Sequence, residues 1–187
     1  MIITICGLAG SGKSTIGKAL AKRLGYNYYD IGDLRKQMAK DRGMTLEEFN
    51  KLGEKESFTD IEADNFTKKL AKTEDNFVIQ GRTAYYFIPK SFKMFFKVSP
   101  EVAAERVFND KDSDRSSEQV PKNVEDKKRL LVERDASDVL RYRKHYGIEN
   151  YQDPKNFDFI YDTSNDEGIE KHVDDIMNFL RSKKLVD

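Results

Sequence analysis

The 187-residue chain balances 33 Lys plus Arg against 33 Asp plus Glu, so no net field draws it to nucleic acid or to a membrane surface. That length builds one compact domain with its own core, without disulfides or a structural metal, and the single cysteine, Cys6, ends an apolar run where it reads as a small buried side chain. No window approaches the roughly 18 apolar residues of a membrane span, and MIITIC lacks the basic flank of a signal peptide; the expectation is a cytoplasmic protein with no membrane or nucleic-acid partner.

IITIC (2–6) reads as a buried strand and runs into GLAGSGKST. Gly7, Gly12, Lys13 and Ser14 satisfy G-x-x-x-x-G-K-[ST], with a strand before and an amphipathic helix after. In such a loop, made here by Gly7, Leu8, Ala9, Gly10, Ser11, Gly12, Lys13, Ser14 and Thr15, backbone N–H groups turn inward around the phosphates of ATP. Lys13 reaches the β and γ phosphates, and the Ser14 hydroxyl ligates Mg²⁺ directly.

YNYYD (26–30) is the second strand, followed by DIGDLR. Gly32 allows close backbone approach, Asp30 is placed to hold a metal-bound water, and Arg35 to grip a second phosphate. The competing reading is a helix N-terminus with acidic residues near the positive dipole end, which Asp33 fits better than Asp30. Residues 33–72 lack a strand: they hold three helical segments, a turn at Arg42-Gly43-Met44, and a TLEE capping box starting at Thr45.

NFVIQ (76–80) leads into Gly81 and Arg82, a guanidinium at a strand's carboxyl end, where it shares a crevice with the phosphate loop. FKMFFKV (92–98) is the fourth strand. Residues 109–123, NDKDSDRSSEQVPKN, have Val120 as their one apolar side chain besides Pro121 and form either a lid or a solvated loop. In LLVERDASDVLRYRKHYG, helical spacing puts Arg134, Asp138, Arg141 and His145 within about 60°, opposite Val132, Ala136, Val139 and Tyr146. That stripe is either a wet face or a set of charges facing phosphates. FDFIYD (157–162) is the fifth strand, and neither His145 nor His172 has the partners of a metal site.

Strands alternating with helices imply an α/β fold, a parallel sheet with helices on both faces whose ligands lie beyond the strands' carboxyl ends. The residues to watch are 7–15, 30–35, 80–82, 99–106 and 162–165.

Four blocks, GLAGSGKSTIGKALAKRLGY, GDLRKQMAKDRGMTLEEF, VIQGRTAYYFIPKSFKMFFKVSPEVAAERV, and ERDASDVLRYRKHYGI followed by FDFIYDTS, span nearly the whole chain. In this order the chain resembles the cytidylate kinases, in their short archaeal form, within the P-loop nucleoside monophosphate kinases. The resemblance implies a P-loop fold with a five-stranded parallel sheet: a core (1–32, 73–108 and 132–187), a small helical monophosphate-binding subdomain (33–72) and a lid (109–131). It implies a monomer that converts Mg-ATP and CMP or dCMP into ADP and the diphosphate. It further implies that Arg35 and Arg82 hold the acceptor phosphate and that Arg134, Asp138 and Arg141 contact the acceptor and the phosphates. Asp30, Gly32 and Gly81 complete the acceptor side, and Lys13, Arg134 and Arg141 are the expected catalytic charges.

Three positions depart from the family pattern. Gln80 stands where an acidic residue commonly precedes GR, leaving Asp30 as the carboxylate available to a magnesium water shell. Arg35 follows Gly32 by three residues rather than four, and Thr83 follows Arg82 where bacterial relatives have Asp. Two rivals stay open: a kinase for another small acceptor such as shikimate, gluconate or a different nucleotide, which for a hydroxyl acceptor needs Asp30 or Asp33 as base, and a nucleotide-responsive binding module.

Overall fold

All five expected strands form, in a computed structural model that describes residues 1–110, 121–165 and 167–187. They are β1 (Ile2–Gly7), β2 (Asn27–Asp30), β3 (Phe77–Gln80), β4 (Phe92–Lys97) and β5 (Phe159–Asp162). They pair in parallel in the order β2-β3-β1-β4-β5, with Ile5 of β1 opposite Gln80 on one side and Met94 on the other. Central strands covered on both faces read as continuous apolar runs, and β1 and β3 are the most buried, whereas the edge strands β2 and β5 are only partly covered.

The helices are α1 (Lys13–Leu24), α2 (Ile31–Lys40), α3 (Leu46–Lys55), α4 (Phe58–Thr73), α5 (Ala84–Phe87), α6 (Pro100–Asn109), α7 (Val124–Tyr146) and α8 (Ile169–Ser182). Side chains alternate across β1. Ile3 and Ile5 pack with Ile16 and Leu20 of α1 and Ile176 and Leu180 of α8, while Cys6 faces Tyr85, Phe95 and Tyr142 on the other side. Burial pushes the Cys6 thiol up to about 12, which leaves it an inert core side chain.

The strandless stretch between β2 and β3 forms α2, α3 and α4. Gly43 turns the chain at φ +67°, and Thr45 opens α3 with the expected capping box: its hydroxyl accepts from the Glu48 N–H at 3.1 Å, and its own N–H donates to the Glu48 carboxylate at 2.8 Å.

Two helices are inverted relative to ordinary amphipathic helices. α7 buries Asp138 and Arg141 and leaves Val132 61% exposed; Ala136 is exposed as well. The charged stripe is therefore not the wet face; of the residues opposite it, only Val139 and Tyr146 pack against the core. α4 likewise buries Thr59, Asp60, Ala63, Asp64 and Thr67 while exposing Phe58 and Ile61. Of the expected lid, residues 111–120 lie outside the described residues, and residues 124–131 are the first turns of α7 itself. Among the described residues no helix is long and apolar enough to cross a membrane.

Candidate active site

The carboxyl ends of the strands open onto one cavity of about 900 Å³. On one wall lies the phosphate loop. Gly7 and Gly10 are required by close approach: a Cβ on Gly7 would sit 2.2 Å from the Phe96 carbonyl oxygen, and one on Gly10 2.7 Å from that of Ala103. Both also have positive φ, +149° and +79°, where a side chain is strained. We expect Gly10→Ala to distort the loop and abolish ATP binding by calorimetry while leaving the sheet's circular dichroism intact; wild-type affinity would contradict this reading.

The loop residues divide into lining and scaffold. Ala9, Gly10, Gly12, Lys13, Ser14 and Thr15 line the cavity; Gly7, Leu8 and Ser11 do not. Ser11 is fully buried, its hydroxyl donating to the Leu8 carbonyl at 2.8 Å, and Thr163, just past β5, donates its hydroxyl to the Ser11 carbonyl at 3.0 Å. Gly12 precedes α1 as its N-cap and offers no side-chain cap, so the helix's first N–H groups are open to an anion. Lys13 Nζ is tied back to the Leu8 carbonyl at 2.6 Å. Burial, reinforced by the nearby Arg82 and Arg134 charges, lowers its ammonium to about 7.

Beside the lysine, the Ser14 hydroxyl donates to Asp30 Oδ2 at 2.8 Å. The second Asp30 oxygen, Oδ1, caps α2 by accepting the Asp33 N–H at 3.1 Å and also accepts from Gln80 Nε2. Asp30 is thus the helix cap as well as the neighbour of Ser14, and Asp33 is, as expected, an acidic residue in the first turn near the positive helix end, paired with Lys36 at 3.1 Å. Gln80, in the place of an acidic residue, works as a donor that orients Asp30. Gly32 keeps this corner open: a Cβ there would lie 3.0 Å from Asp30 Oδ1. Hydroxyl and carboxylate oxygens suit a magnesium ion that keeps most of its ligands from water and phosphate. Among the described residues no group of three or more His, Cys, Asp or Glu could hold a metal by itself.

The opposite wall is basic. Arg82 donates to Asp138 Oδ2, and Arg141 to Asp138 Oδ1. Arg141 also reaches Asp60 at 2.8 and 3.2 Å, and Arg35 meets the same carboxylate at 2.6 Å. Arg35 is held further by the Thr59 carbonyl at 2.8 Å and Asn50 Oδ1 at 3.0 Å, and lies 5.3 Å from the Phe49 ring centre. Burial alone would raise the Asp138 carboxyl, but Arg82, Arg141 and Arg134 outweigh it and hold it below the usual range. The Nε atoms of Arg82 and Arg141 are buried without a hydrogen-bond partner among the described residues.

The structure therefore brings Lys13, Ser14, Asp30, Gly32, Arg35, Gly81, Arg82, Arg134, Asp138 and Arg141 onto one cavity. His145 leaves the stripe to bond the Gly53 carbonyl at 2.8 Å, and His172 packs on Tyr161. Sequence reasoning missed Asn50, Thr59 and Asp60. The signal was present in FTDIEADNF, where 59, 60, 63 and 64 share a helical face more polar than Phe58 and Ile61.

A five-stranded parallel sheet in this order, with a G-x-x-x-x-G-K-S loop between β1 and α1, is the P-loop kinase fold. Solved structures agree on the fold: a shikimate kinase from Bacteroides thetaiotaomicron superposes with a TM-score of 0.67 at 20% identity, covering 97% of this chain and 98% of that one. A shikimate kinase from Aquifex aeolicus gives 0.58 at 22% identity, covering 99% of each. The chain belongs to the cytidylate kinase-like family, whose sequence model matches residues 2–165. It is 35% identical over 164 residues to the cytidylate kinase of Methanococcoides burtonii, covering 88% of each chain. To that of Methanocaldococcus jannaschii it is 36% identical over 169 residues, covering 88% of this chain and 89% of the other.

Proposed function

We propose that the protein transfers the γ-phosphoryl group of ATP to CMP or dCMP, giving ADP and the diphosphate, and that the cavity between the phosphate loop and α7 holds both substrates. The observation that carries this is the arginine wall. Arg35, Arg82 and Arg141 line one cavity with the phosphate loop and, among the described residues, share the carboxylates of Asp60 and Asp138 in ion pairs, a cluster of guanidiniums that suits an acceptor bringing a phosphate of its own.

The phosphate loop and the open end of α1 take the donor's phosphates, with Lys13 on the β and γ oxygens. Ser14 and Asp30 would hold Mg²⁺, which would supply positive charge to those phosphates. Arg35 and Arg82 orient the acceptor phosphate, with Gly32 and Gly81 giving its approach room. An acceptor oxygen attacks the γ phosphorus in line, the bond to the β–γ bridging oxygen breaks, and ADP leaves with that electron pair. The acceptor is already anionic at neutral pH, so no base is needed. Arg134 and Arg141 neutralise charge as it shifts between donor and acceptor.

A hydroxyl acceptor of the shikimate kind is less well served. It needs a base, and Asp30 is engaged by Ser14, Gln80, Tyr28 and the Asp33 N–H, while Asp33 is paired with Lys36. The test is ADP formation from Mg-ATP with CMP, dCMP, UMP, AMP, GMP and shikimate in turn. CMP and dCMP are the expected best acceptors, and Arg134→Ala is expected to slow their turnover on the order of 10²-fold. Turnover of shikimate alone, or of no acceptor at all, would refute the reading.

A further inference from the structure

α4 carries a second buried carboxylate, one helical turn beyond Asp60. Asp64 is only 5% exposed and lines the same cavity as Arg35 and Asp60. Unlike Asp60, it makes no ion pair among the described residues. Its one hydrogen bond there is from the Tyr146 hydroxyl of α7 to Oδ2, which leaves Oδ1 without a donor among the described residues. Oδ1 is not sealed off and the residue lies on the cavity lining, where a donor on a bound molecule can complete a carboxylate that has a single neutral partner.

The position suits the far end of a nucleotide. Four residues along a helix advance about 6 Å, so Asp64 stands one turn from the carboxylate that organises Arg35 and Arg141, the groups facing the acceptor phosphate. Flat aromatic surface lies beside it: Tyr142, which lines the cavity, stacks on Tyr146 with ring centres 6.2 Å apart. Burial is the main cause that pushes the Asp64 carboxyl up to about 6, with Asp60 adding to it and Tyr146, Lys68 and Arg35 opposing. At neutral pH the group is thus mostly ionised and can only accept hydrogen bonds.

We propose that Asp64 reads the base of the acceptor, Oδ1 accepting a hydrogen bond from the 4-amino group of cytosine and repelling the 4-oxo group of uracil, with Tyr146 fixing the carboxylate's orientation. This rests on the reading of the acceptor as a pyrimidine monophosphate. It locates the choice between bases on α4, away from the phosphate loop and from Thr83.

The experiment measures kcat/KM for CMP and for UMP in the wild type, Asp64→Asn and Tyr146→Phe, with a thermal melt of each. Asparagine keeps the shape but can present an amide N–H to a 4-oxo group. The CMP-to-UMP ratio should fall by about 10-fold or more in Asp64→Asn, by loss on CMP and gain on UMP, and by a smaller factor in Tyr146→Phe. Should Asp64→Asn not fold, Tyr146→Phe, which keeps the carboxylate, carries the test through its own ratio. An unchanged ratio in an active enzyme, with both substrates slowed equally, would overturn the base assignment and leave the kinase reading standing. A wild-type protein that phosphorylates no pyrimidine monophosphate would overturn the kinase reading itself.

Discussion

Lys13→Ala should lower the rate of ADP formation by about 10²-fold or more while leaving the melting temperature of the free protein unchanged or slightly raised. Both halves follow from where the ammonium sits. It is buried in the phosphate loop, its one hydrogen bond among the described residues goes to the Leu8 carbonyl at 2.6 Å, and burial together with Arg82 and Arg134 brings its pKa down to about 7. In the free protein the charge is poorly solvated and repelled, so removing it relieves strain. With ATP bound, the same low-dielectric surroundings strengthen its attraction to the β and γ phosphates. Wild-type turnover in the alanine variant, measured in a coupled assay, would defeat the assignment.

The depressed pKa also sets a sign for pH. Above pH 7 the free lysine loses its proton, whereas bound phosphates favour the protonated form. ATP binding near pH 8 should therefore take up protons, and affinity should weaken as pH rises from 7 towards 9. Calorimetry in two buffers of different ionisation enthalpy reads the uptake directly; in Lys13→Ala the uptake should vanish.

The parts that were legible in the sequence are those governed by local rules. IITIC followed by GLAGSGKST needs no tertiary information, because the glycine spacing and the apolar run each have a local cause, and the TLEE box closes on its own backbone. The parallel sheet and the enclosing helices follow from alternation and crossover rules; the strand order does not. The basic wall of the cavity is less legible. Amphipathicity assigns charged faces to water, yet α4 and α7 turn charged faces towards each other, so that Asp60 meets Arg141 across the cavity at 2.8 Å while Phe58 and Val132 face outward. Helical spacing groups Arg134, Asp138 and Arg141 but leaves them either wet or phosphate-facing, and the family resemblance decides for phosphates; the polar face of FTDIEADNF is visible, yet nothing local joins Asp60 to them. A residue 81 positions from Arg141 is joined to it only by the fold. Asp30 shows the same limit at closer range. Helix N-terminus and metal-water neighbour are alternative readings of DIGDLR, and in the fold one Asp30 oxygen caps α2 while the other accepts from the Ser14 hydroxyl.

The charged wall makes the second large prediction. Asp138→Asn should cost about 3–5 kcal/mol of stability in urea unfolding, the range expected when one partner of a buried ion pair is removed. Asp138 is 1% exposed and answers Arg82 and Arg141 at once, and Arg141 is equally inaccessible to water. Without that charge, Arg82 loses its ion pair and Arg141 keeps only the Asp60 carboxylate it shares with Arg35, among the described residues. An acceptor phosphate is the anion best able to replace it, so CMP should raise the melting temperature of the variant by more than it raises that of the wild type. The carboxyl is held below its ordinary value by the arginines against the opposing effect of burial. Its contribution in the wild type is accordingly complete at neutral pH and is lost as pH falls below about 4 and through the depressed native value. The asparagine variant should therefore show a shallower acid limb in its stability curve. An Asp138→Asn protein as stable as the wild type, with the same response to CMP, would mean that the arginines are neutralised elsewhere and that this wall is not poised for a phosphate.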